Sequence, residues 1–258
     1  MSHTPLFTGV GVALVTLFDD EGAVDARATA DLALELVGAG MRSVVVTGTT
    51  GEAAALSAEE RVAVVRAVRE AVPTDVPVVA GTGAPTGRTA AGFTRDALAA
   101  GADAVLVLSP HGVVDPRPYF DQVVRAADGG HVLGYHFPAF AAPGIEVPVL
   151  AELGIDGVKD SSGDAERLLR EVTELDGLPV YVGSSAVLVQ AGATGVAGAI
   201  LTMANAEPEL CVRAFAGDGD AQRELMTAHL VGTRDLPDGI KALVAKRFGT
   251  STVARVGR

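Results

Sequence analysis

Lys159 is the residue of this chain whose type and position most clearly suggest covalent chemistry. It is one of three lysines among 20 Lys and Arg residues, and it ends the short run Ile155–Lys159, which is typical of a buried strand. Burial lowers the pKa of an amine and makes it a nucleophile for carbonyl carbons. The alternative is a structural ammonium group in an ion pair with Asp156 or Asp160, and this stretch alone leaves both interpretations open.

A loop rich in glycine and threonine follows the predicted strand Ser43–Val46. It runs from Thr47 to Glu52 and contains Gly48, Thr49 and Thr50. Backbone N–H groups and hydroxyls in such a loop can bind a small carboxylate. The spacing is not that of a nucleotide-binding P-loop. An ordinary turn with threonine caps remains the alternative.

Tyr135 ends another predicted strand and offers a phenol. A phenol at a strand end can relay protons, although a core tyrosine with a satisfied hydroxyl has the same pattern. His136 is the next residue along the strand, so it should face the opposite way, toward the helices.

The elements that must position these residues follow one repeated pattern. A helix ends in glycine, which supplies a left-handed cap, and a Val/Ile/Leu strand follows at once. The pattern occurs at residues 37–46, 100–108, 153–159 and 191–200. The strands predicted on this basis are Val10–Leu17, Ser43–Val46, Val76–Ala80, Ala104–Leu108, His131–Tyr135, Ile155–Lys159, Pro179–Val182 and Gly195–Ile200.

Eight strands, each followed by a helical pattern, predict a (β/α)8 TIM barrel with a short C-terminal helical extension. We assign residues 1–206 to the barrel and 207–258 to the extension, packed together as one structural domain. A doubly wound sheet is the alternative, but it normally has a glycine fingerprint after its first strand. Here the acidic turn Asp19–Gly22 occupies that place and would repel a pyrophosphate.

In a barrel, chemistry gathers at the C-terminal ends of the strands. Further residues that fall there are Gly81–Gly83, His111, Gly183–Ser185, Ile200, Thr202 and Asn205. An amine, a phenol and a carboxylate-binding loop at one barrel mouth are the parts needed for Schiff-base chemistry on a 2-keto acid. Their joint occurrence favours the nucleophile interpretation of Lys159.

The composition excludes several other classes of function. The net charge of −12 argues against a nucleic-acid partner, whose phosphates need a basic surface. The single cysteine, Cys211, permits no internal disulfide, which favours a cytoplasmic location. We expect no metal site, because the five histidines lack zinc-binding spacing, and no signal peptide or membrane span is recognisable.

The chain resembles the dihydrodipicolinate synthase / N-acetylneuraminate lyase family of class I aldolases from about Phe7 to the region of Lys241. The matching motifs are GTTGE at Gly48–Glu52, Tyr135 with Pro138, GVKDSSGD at Gly157–Asp164, and Gly198 with Ile200. The resemblance implies that Lys159 forms an imine with pyruvate, and that Tyr135 moves protons while the Thr49 hydroxyl orients it. It also implies that the backbone N–H groups of Thr49 and Thr50 hold the pyruvate carboxylate.

The resemblance also implies that Gly48 and Gly183 lie beside the substrate and that the Ile200 carbonyl lies over the site. It implies that no cofactor is required. It also implies a homo-oligomer. The segment between Leu230 and Leu236 is shorter than is usual in the family, so the sequence does not decide between a dimer and a tetramer.

Departures from the family pattern fall in the part of the site that chooses the second substrate. Phe140 stands where the synthases carry an arginine that holds the carboxylate of the aldehyde. His111 and Gly112 replace paired tyrosines, so the proton relay is either truncated or completed by His111. Ser184 and Ser185 replace the acidic residues of sialic-acid lyases.

We therefore expect a pyruvate-dependent aldolase, a carbon–carbon lyase, acting on a 2-keto-3-deoxy sugar acid or a 4-hydroxy-2-oxoglutarate-type substrate. The KDSSG motif that begins at Lys159 resembles those branches of the family. The first alternative is dihydrodipicolinate synthase itself. The second is a 2-keto-acid binding protein without catalytic activity.

Overall fold

Eight parallel strands close into a barrel in the order β1 to β8, as seen in a computed structural model that describes residues 4–256. This confirms the predicted TIM-barrel fold. The strands are β1 Gly9–Ala13, β2 Val44–Val46, β3 Val78–Gly81, β4 Ala104–Leu108, β5 His131–His136, β6 Gly157–Asp160, β7 Val180–Val182 and β8 Gly198–Leu201.

Helices follow the strands and surround the barrel. They are α1 Ala26–Gly38, α2 Ala58–Ala71, α3 Gly87–Ala99, α4 Arg117–Ala127, α5 Val147–Leu150, α6 Ala165–Glu174, α7 Leu188–Ala193, α8 Pro208–Phe215, α9 Gly219–Arg234 and α10 Asp238–Phe248. Each of the four predicted helix-to-strand joints contains a glycine with positive φ: Gly40, Gly101, Gly154 and Gly195. The left-handed conformation costs glycine little, so these joints form where the sequence pattern places them.

The first and last strands differ most from their predicted bounds, while the others agree to within two residues. β1 ends at Ala13 and not at Leu17, because the backbone N–H of Val15 donates to Asn205 Oδ1 at 3.1 Å and that of Leu17 donates to Thr29 Oγ1 at 3.0 Å. These side-chain acceptors take the place of a neighbouring strand. β8 begins at Gly198 and not at Gly195.

Two apolar layers hold the barrel together. The outer layer lies between strands and helices and consists mainly of Val, Leu and Ala. The inner layer fills the barrel and includes Leu106, Leu133 and Ile200. Phe7 lies at the N-terminal end of the strands and stacks on Tyr181 with 4.7 Å between ring centroids. These rings help to fill that end of the barrel.

The helices α8 to α10 extend the chain beyond β8. Gln222 on α9 donates to the Ser185 carbonyl at 2.8 Å, which brings α9 to the C-terminal ends of the strands. The predicted division between residues 206 and 207 falls just before α8 and stays a prediction. Within residues 4–256, no helix is both long and apolar enough to cross a membrane.

Candidate active site

Lys159 and Tyr135 lie next to each other inside the barrel mouth. They are register partners on β6 and β5, so both side chains project to the same face of the sheet. The Lys159 Nζ atom lies 4.3 Å from the centroid of the Tyr135 ring. Both residues are 5% exposed, so the amine and the phenol lie side by side with little exposure to solvent.

Lys159 is not held in an ion pair. Across residues 4–256 no carboxylate lies within 4.0 Å of its Nζ atom; Asp160 instead has Arg167 at 3.4 Å, and Asp156 accepts from the Val132 N–H at 2.9 Å. Burial lowers the pKa of Lys159 to about 7, because the charged form loses its hydration. The ion-pair alternative is thus wrong, and a large fraction of the amine is neutral near pH 7.

Tyr135 keeps its proton at neutral pH. Burial raises the pKa of Tyr135 to about 12, while the nearby hydroxyls of Ser161 and Thr49 act in the opposite direction. The ring stacks on Phe137 with 5.9 Å between centroids. The phenol is therefore placed between two hydroxyls that can pass a proton on.

The loop from Thr47 to Glu52 presents unoccupied backbone donors to the same space. In the described part of the chain, the N–H groups of Thr49 and Thr50 have no hydrogen-bond acceptor. Thr47 and Glu52, at the two ends of the loop, have φ values of 51° and 55°. Left-handed non-glycine residues are strained and concentrate at functional sites, and free N–H groups in a turn suit an anion.

Two glycines make room for these groups. A Cβ atom on Gly81 would come within 2.8 Å of the Gly48 Cα atom, so Gly81 lets the loop pack against β3. A Cβ atom on Gly183 would come within 3.0 Å of Lys159 Cε and overlap the Ser161 hydroxyl. Gly183 therefore provides the space that the lysine side chain occupies.

The loop is anchored from behind by charged residues. The Glu52 carboxylate pairs with Lys241 on α10 and accepts from the N–H groups of Arg255 and Val256 at 2.7 and 2.8 Å. Arg61 donates to the Ala53 carbonyl and, at 3.2 Å, to the Gly81 carbonyl. Residues from α2, α10 and the segment after α10 thus fix this loop.

Two cavities meet at Lys159, and Thr49, Thr50 and Tyr135 also line both. The inner cavity extends into the barrel toward β3 and β4. The outer cleft opens toward β7, β8 and α9 and encloses about 880 Å³, including its opening to solvent. Its remaining lining residues are Phe137, Phe140, Ser161, Gly183, Ser184, Ser185, Thr202, Met203, His229, Thr233 and Leu236.

The predicted site residues Lys159, Tyr135, Thr49, Thr50, Gly48 and Gly183 all line these cavities. Ile200 does not; its side chain is fully buried in the barrel interior, and the role of its carbonyl stays a prediction. His111 is exposed and lines neither cavity. His136 faces the helices as predicted, since its Nδ1 atom accepts from the Ile145 N–H at 2.9 Å.

His229 and Thr233 are lining residues that the sequence did not reveal. Both lie on α9, and only the docking of this helix against the segment that follows β7 brings them to the cleft. Ser161 lies within a recognised motif, but its position beside Tyr135 depends on the space that Gly183 leaves. His229 and Thr233 could not be identified from the sequence, because two polar residues one helical turn apart are a very common pattern.

A buried charged cluster lies behind Lys159, on the helix side of β6. Arg167 contacts both Asp160 and Glu171, at 3.4 and 2.9 Å. Burial, together with the nearby Asp160 charge, raises the pKa of Glu171 to about 8. A single guanidinium does not compensate two buried carboxylates, so Glu171 holds a proton at neutral pH.

Comparisons with known proteins agree with this geometry. A sequence model of the "Dihydrodipicolinate synthetase family" matches residues 6–236. A protein of Natronomonas pharaonis named 4-hydroxy-tetrahydrodipicolinate synthase is 36% identical over 240 residues, which are 87% of this chain and 80% of that protein.

Solved structures of the family superpose closely. YagE of E. coli K12, a family member crystallised with pyruvate, has a TM-score of 0.91 at 27% identity, covering 98% of this chain and 93% of that one. The pyruvate complex of dihydrodipicolinate synthase from Acinetobacter baumannii has a TM-score of 0.88 at 25% identity, with 98% and 93% covered. The chain therefore belongs to the dihydrodipicolinate synthetase family, a family of carbon–carbon lyases, as its motifs predict.

Proposed function

We propose that this protein is a class I, pyruvate-dependent aldolase that works through a Schiff base on Lys159. The observation that carries the proposal is a buried amine with no carboxylate partner in the described chain, 4.3 Å from the ring centroid of Tyr135. A desolvated lysine with a pKa of about 7 is a competent nucleophile at neutral pH. The pyruvate complexes of related proteins support the choice of keto acid.

The proposed reaction begins at the keto carbon of pyruvate. The Lys159 nitrogen forms a bond to that carbon, and the carbonyl oxygen leaves as water with one amine proton and one proton delivered through Tyr135, which gives a protonated imine. The N–H groups of Thr49 and Thr50 hold the carboxylate. Loss of a methyl proton then gives an enamine, whose carbon attacks the aldehyde; cleavage is the same path reversed. The imine is the electron sink, so this chemistry needs no metal or cofactor.

The proposal also covers the aldehyde that reacts with pyruvate. We assign the enzyme to 2-keto acids of the 2-keto-3-deoxy sugar-acid or 4-hydroxy-2-oxoglutarate type. Among the described residues that line the two cavities, Lys159 is the single Lys or Arg. An aldehyde with its own carboxylate would meet no second cation there, whereas serine, threonine and histidine suit hydroxyl groups. The lining therefore favours the sugar-acid type, whose aldehyde half is neutral and hydroxylated, over the 4-hydroxy-2-oxoglutarate type, whose aldehyde half is glyoxylate and carries a carboxylate.

Dihydrodipicolinate synthase is the second candidate function. The names of related proteins favour it. Against it stands Phe140, which is 54% exposed at the cleft and occupies the place where the synthases have a carboxylate-binding arginine. A non-catalytic keto-acid binding protein is the third candidate, supported by the missing pair of tyrosines at His111 and Gly112.

Borohydride trapping distinguishes these possibilities. The protein is incubated with pyruvate, reduced and mapped by mass spectrometry, with Lys159→Met as the test variant and Lys246→Met, on the exposed face of α10, as the control. We expect a pyruvate adduct at Lys159 in the wild type and the control only. A panel of glyceraldehyde, glyoxylate and aspartate semialdehyde then separates the functions: an adduct with no turnover of any aldehyde would favour the binding protein.

We also propose a homo-oligomer, either a dimer or a tetramer. Light scattering coupled to size-exclusion chromatography measures the mass directly. A monomer at micromolar concentration would contradict this part of the proposal.

A further inference from the structure

A hydrogen bond between Ser185 and His229 joins the barrel to the helical extension inside the outer cleft. The Ser185 Oγ atom lies 2.7 Å from His229 Nδ1, and both residues line the cleft. Ser185 follows β7, whereas His229 lies 44 residues later on α9. The pair is thus a part of the cleft wall that the barrel alone does not supply.

The pair is held rigidly. On α9, Gln222 donates to the Ser185 carbonyl at 2.8 Å and accepts from the Leu188 N–H at 3.0 Å. These bonds fix the segment after β7 against the helix. A hydrogen-bonding group that is already oriented before the ligand arrives loses less entropy on binding.

The chemical state of His229 leaves one ring nitrogen available. Burial lowers the pKa of His229, so the ring is neutral at pH 7, with one N–H donor and one bare acceptor nitrogen. Nδ1 is committed to Ser185. Within residues 4–256 the Nε2 atom has no hydrogen-bond partner, so it is free to bond a ligand hydroxyl in the cleft.

Ser185 lies one extended residue beyond the glycine that packs against Lys159. Gly183 packs against Lys159 Cε, and Ser184 is extended, with φ −108° and ψ 121°. Ser185 therefore lies roughly 7 Å beyond Gly183, at about 3.5 Å per extended residue. That separation is comparable with the length of a six-carbon keto acid from its second carbon to its terminal hydroxyl.

We propose that His229, oriented by Ser185, hydrogen-bonds a distal hydroxyl of the aldehyde half of the substrate and so selects hydroxylated aldehydes over their deoxy analogues. The inference rests on the proposed aldolase function. A purely structural histidine would need only its Nδ1 bond to Ser185, whereas this assignment gives the second nitrogen a ligand. A site built to bond a hydroxyl discriminates strongly against an analogue that lacks it.

The test compares two three-carbon aldehydes, glyceraldehyde and propanal, as partners for pyruvate. We expect the wild type to have at least a tenfold higher kcat/KM for glyceraldehyde. In His229→Asn the amide can replace Nδ1 and keep Ser185 bonded, but nothing replaces Nε2. In His229→Gln the amide reaches the Nε2 position. We expect the preference to fall about tenfold in the asparagine variant and to persist within about threefold in the glutamine variant.

His131→Asn is the matched control, because His131 begins β5 at the opposite end of the barrel and is exposed; it should leave the preference unchanged. A wild type that treats both aldehydes alike, an asparagine variant with full preference, or equal losses in both variants would overturn the inference. Trapping of the pyruvate adduct at Lys159 is measured in every variant. An adduct without the expected selectivity rejects the role of His229 alone, while a wild type without an adduct rejects the aldolase proposal itself.

Discussion

Lys159 and Asp160 are consecutive residues of β6 with opposite electrostatic surroundings. Lys159 faces the barrel interior, where no carboxylate of residues 4–256 lies within 4.0 Å of its amine. Asp160 faces α6 and accepts from the Ser162 N–H at 2.7 Å, with Arg167 at 3.4 Å. Because successive side chains of a strand point to opposite faces of the sheet, the Lys159 amine is separated from the Asp160 carboxylate next to it in the sequence. This separation allows Lys159 to be deprotonated near neutral pH.

Imine formation should therefore follow the pKa of Lys159. With that pKa lowered to about 7, the neutral fraction rises about tenfold per pH unit below 7 and levels off above it. We expect the initial rate of borohydride-trapped adduct to rise between pH 5 and 7 and to reach a plateau by about pH 8. A rate that continues to rise to pH 10 would show an amine with an ordinary pKa and contradict the prediction.

Removal of the buried amine should stabilise the fold. The folded-state pKa of Lys159 lies below its unfolded value of 10.5, so burial of the charged form costs stability at every pH below about 10 and most fully below about 7. We expect Lys159→Met to raise the melting temperature at pH 6 by roughly 5 °C or more, with a smaller gain at pH 10. Lys246→Met, at an exposed site, should change it by less than about 1 °C; an equal gain in both variants would argue against this cause.

Loss of the Tyr135 hydroxyl should impair proton transfer and leave pyruvate binding largely intact. Tyr135→Phe keeps the ring that stacks on Phe137 and removes only the phenol oxygen. We expect kcat for the aldol reaction to fall about 10²-fold or more. The adduct at Lys159 should still form on prolonged incubation. Turnover within a factor of about three of the wild type would exclude Tyr135 from the proton relay.

A cation introduced at Phe140 should change the choice of aldehyde. Phe140 stacks on Phe137 with 5.1 Å between centroids and borders the outer cleft. In Phe140→Arg a carboxylated aldehyde gains a charge-assisted partner, so we expect the ratio of kcat/KM for glyoxylate over glyceraldehyde to rise about tenfold or more. Phe140→Leu is the control for loss of the ring. An arginine variant whose kcat/KM ratio for glyoxylate over glyceraldehyde is no higher than that of Phe140→Leu would contradict a role of position 140 in choosing the aldehyde.

The Glu171 carboxyl should make the protein less stable in alkali. Its folded-state pKa is raised from 4.5 to about 8, so the folded chain binds this proton more tightly than the unfolded chain. The resulting stability is fully present below about pH 4.5 and is lost as pH rises through about 8. In urea unfolding, the free energy of unfolding of Glu171→Gln should therefore be about 1–3 kcal/mol higher than that of the wild type at pH 9. At pH 5 the two free energies should be equal. A variant that is less stable at pH 9 would indicate that the ion pair with Arg167 dominates.

Local sequence patterns predicted the barrel because its joints and strands are specified locally. Four glycines mark helix ends independently of distant contacts: Gly40, Gly101, Gly154 and Gly195. Eight consecutive strand–helix units are typical of a TIM barrel. The part of the cleft that we propose for pyruvate could be located for the same reason, since the ends of β2, β5 and β6 carry recognisable motifs.

Features that depend on distant contacts were not predictable. The end of β1 depends on the Asn205 side chain, 190 residues away, and the position of His229 depends on the docking of α9. Neither contact has a local signal. The ion-pair interpretation of Lys159 could be rejected only when the structure showed which face of β6 each charge occupies.

The anchoring of Glu52 has a consequence for synthesis of the chain. Its carboxylate bonds the backbone of Arg255, 203 residues later, and pairs with Lys241. A ribosome makes residue 52 long before residue 255, so the nascent barrel carries the anion-binding loop without its anchor. The loop can take its final form only after residues 238–256 have been made and have packed against Glu52. We infer that the loop takes its final form late in synthesis, after the strands that surround it.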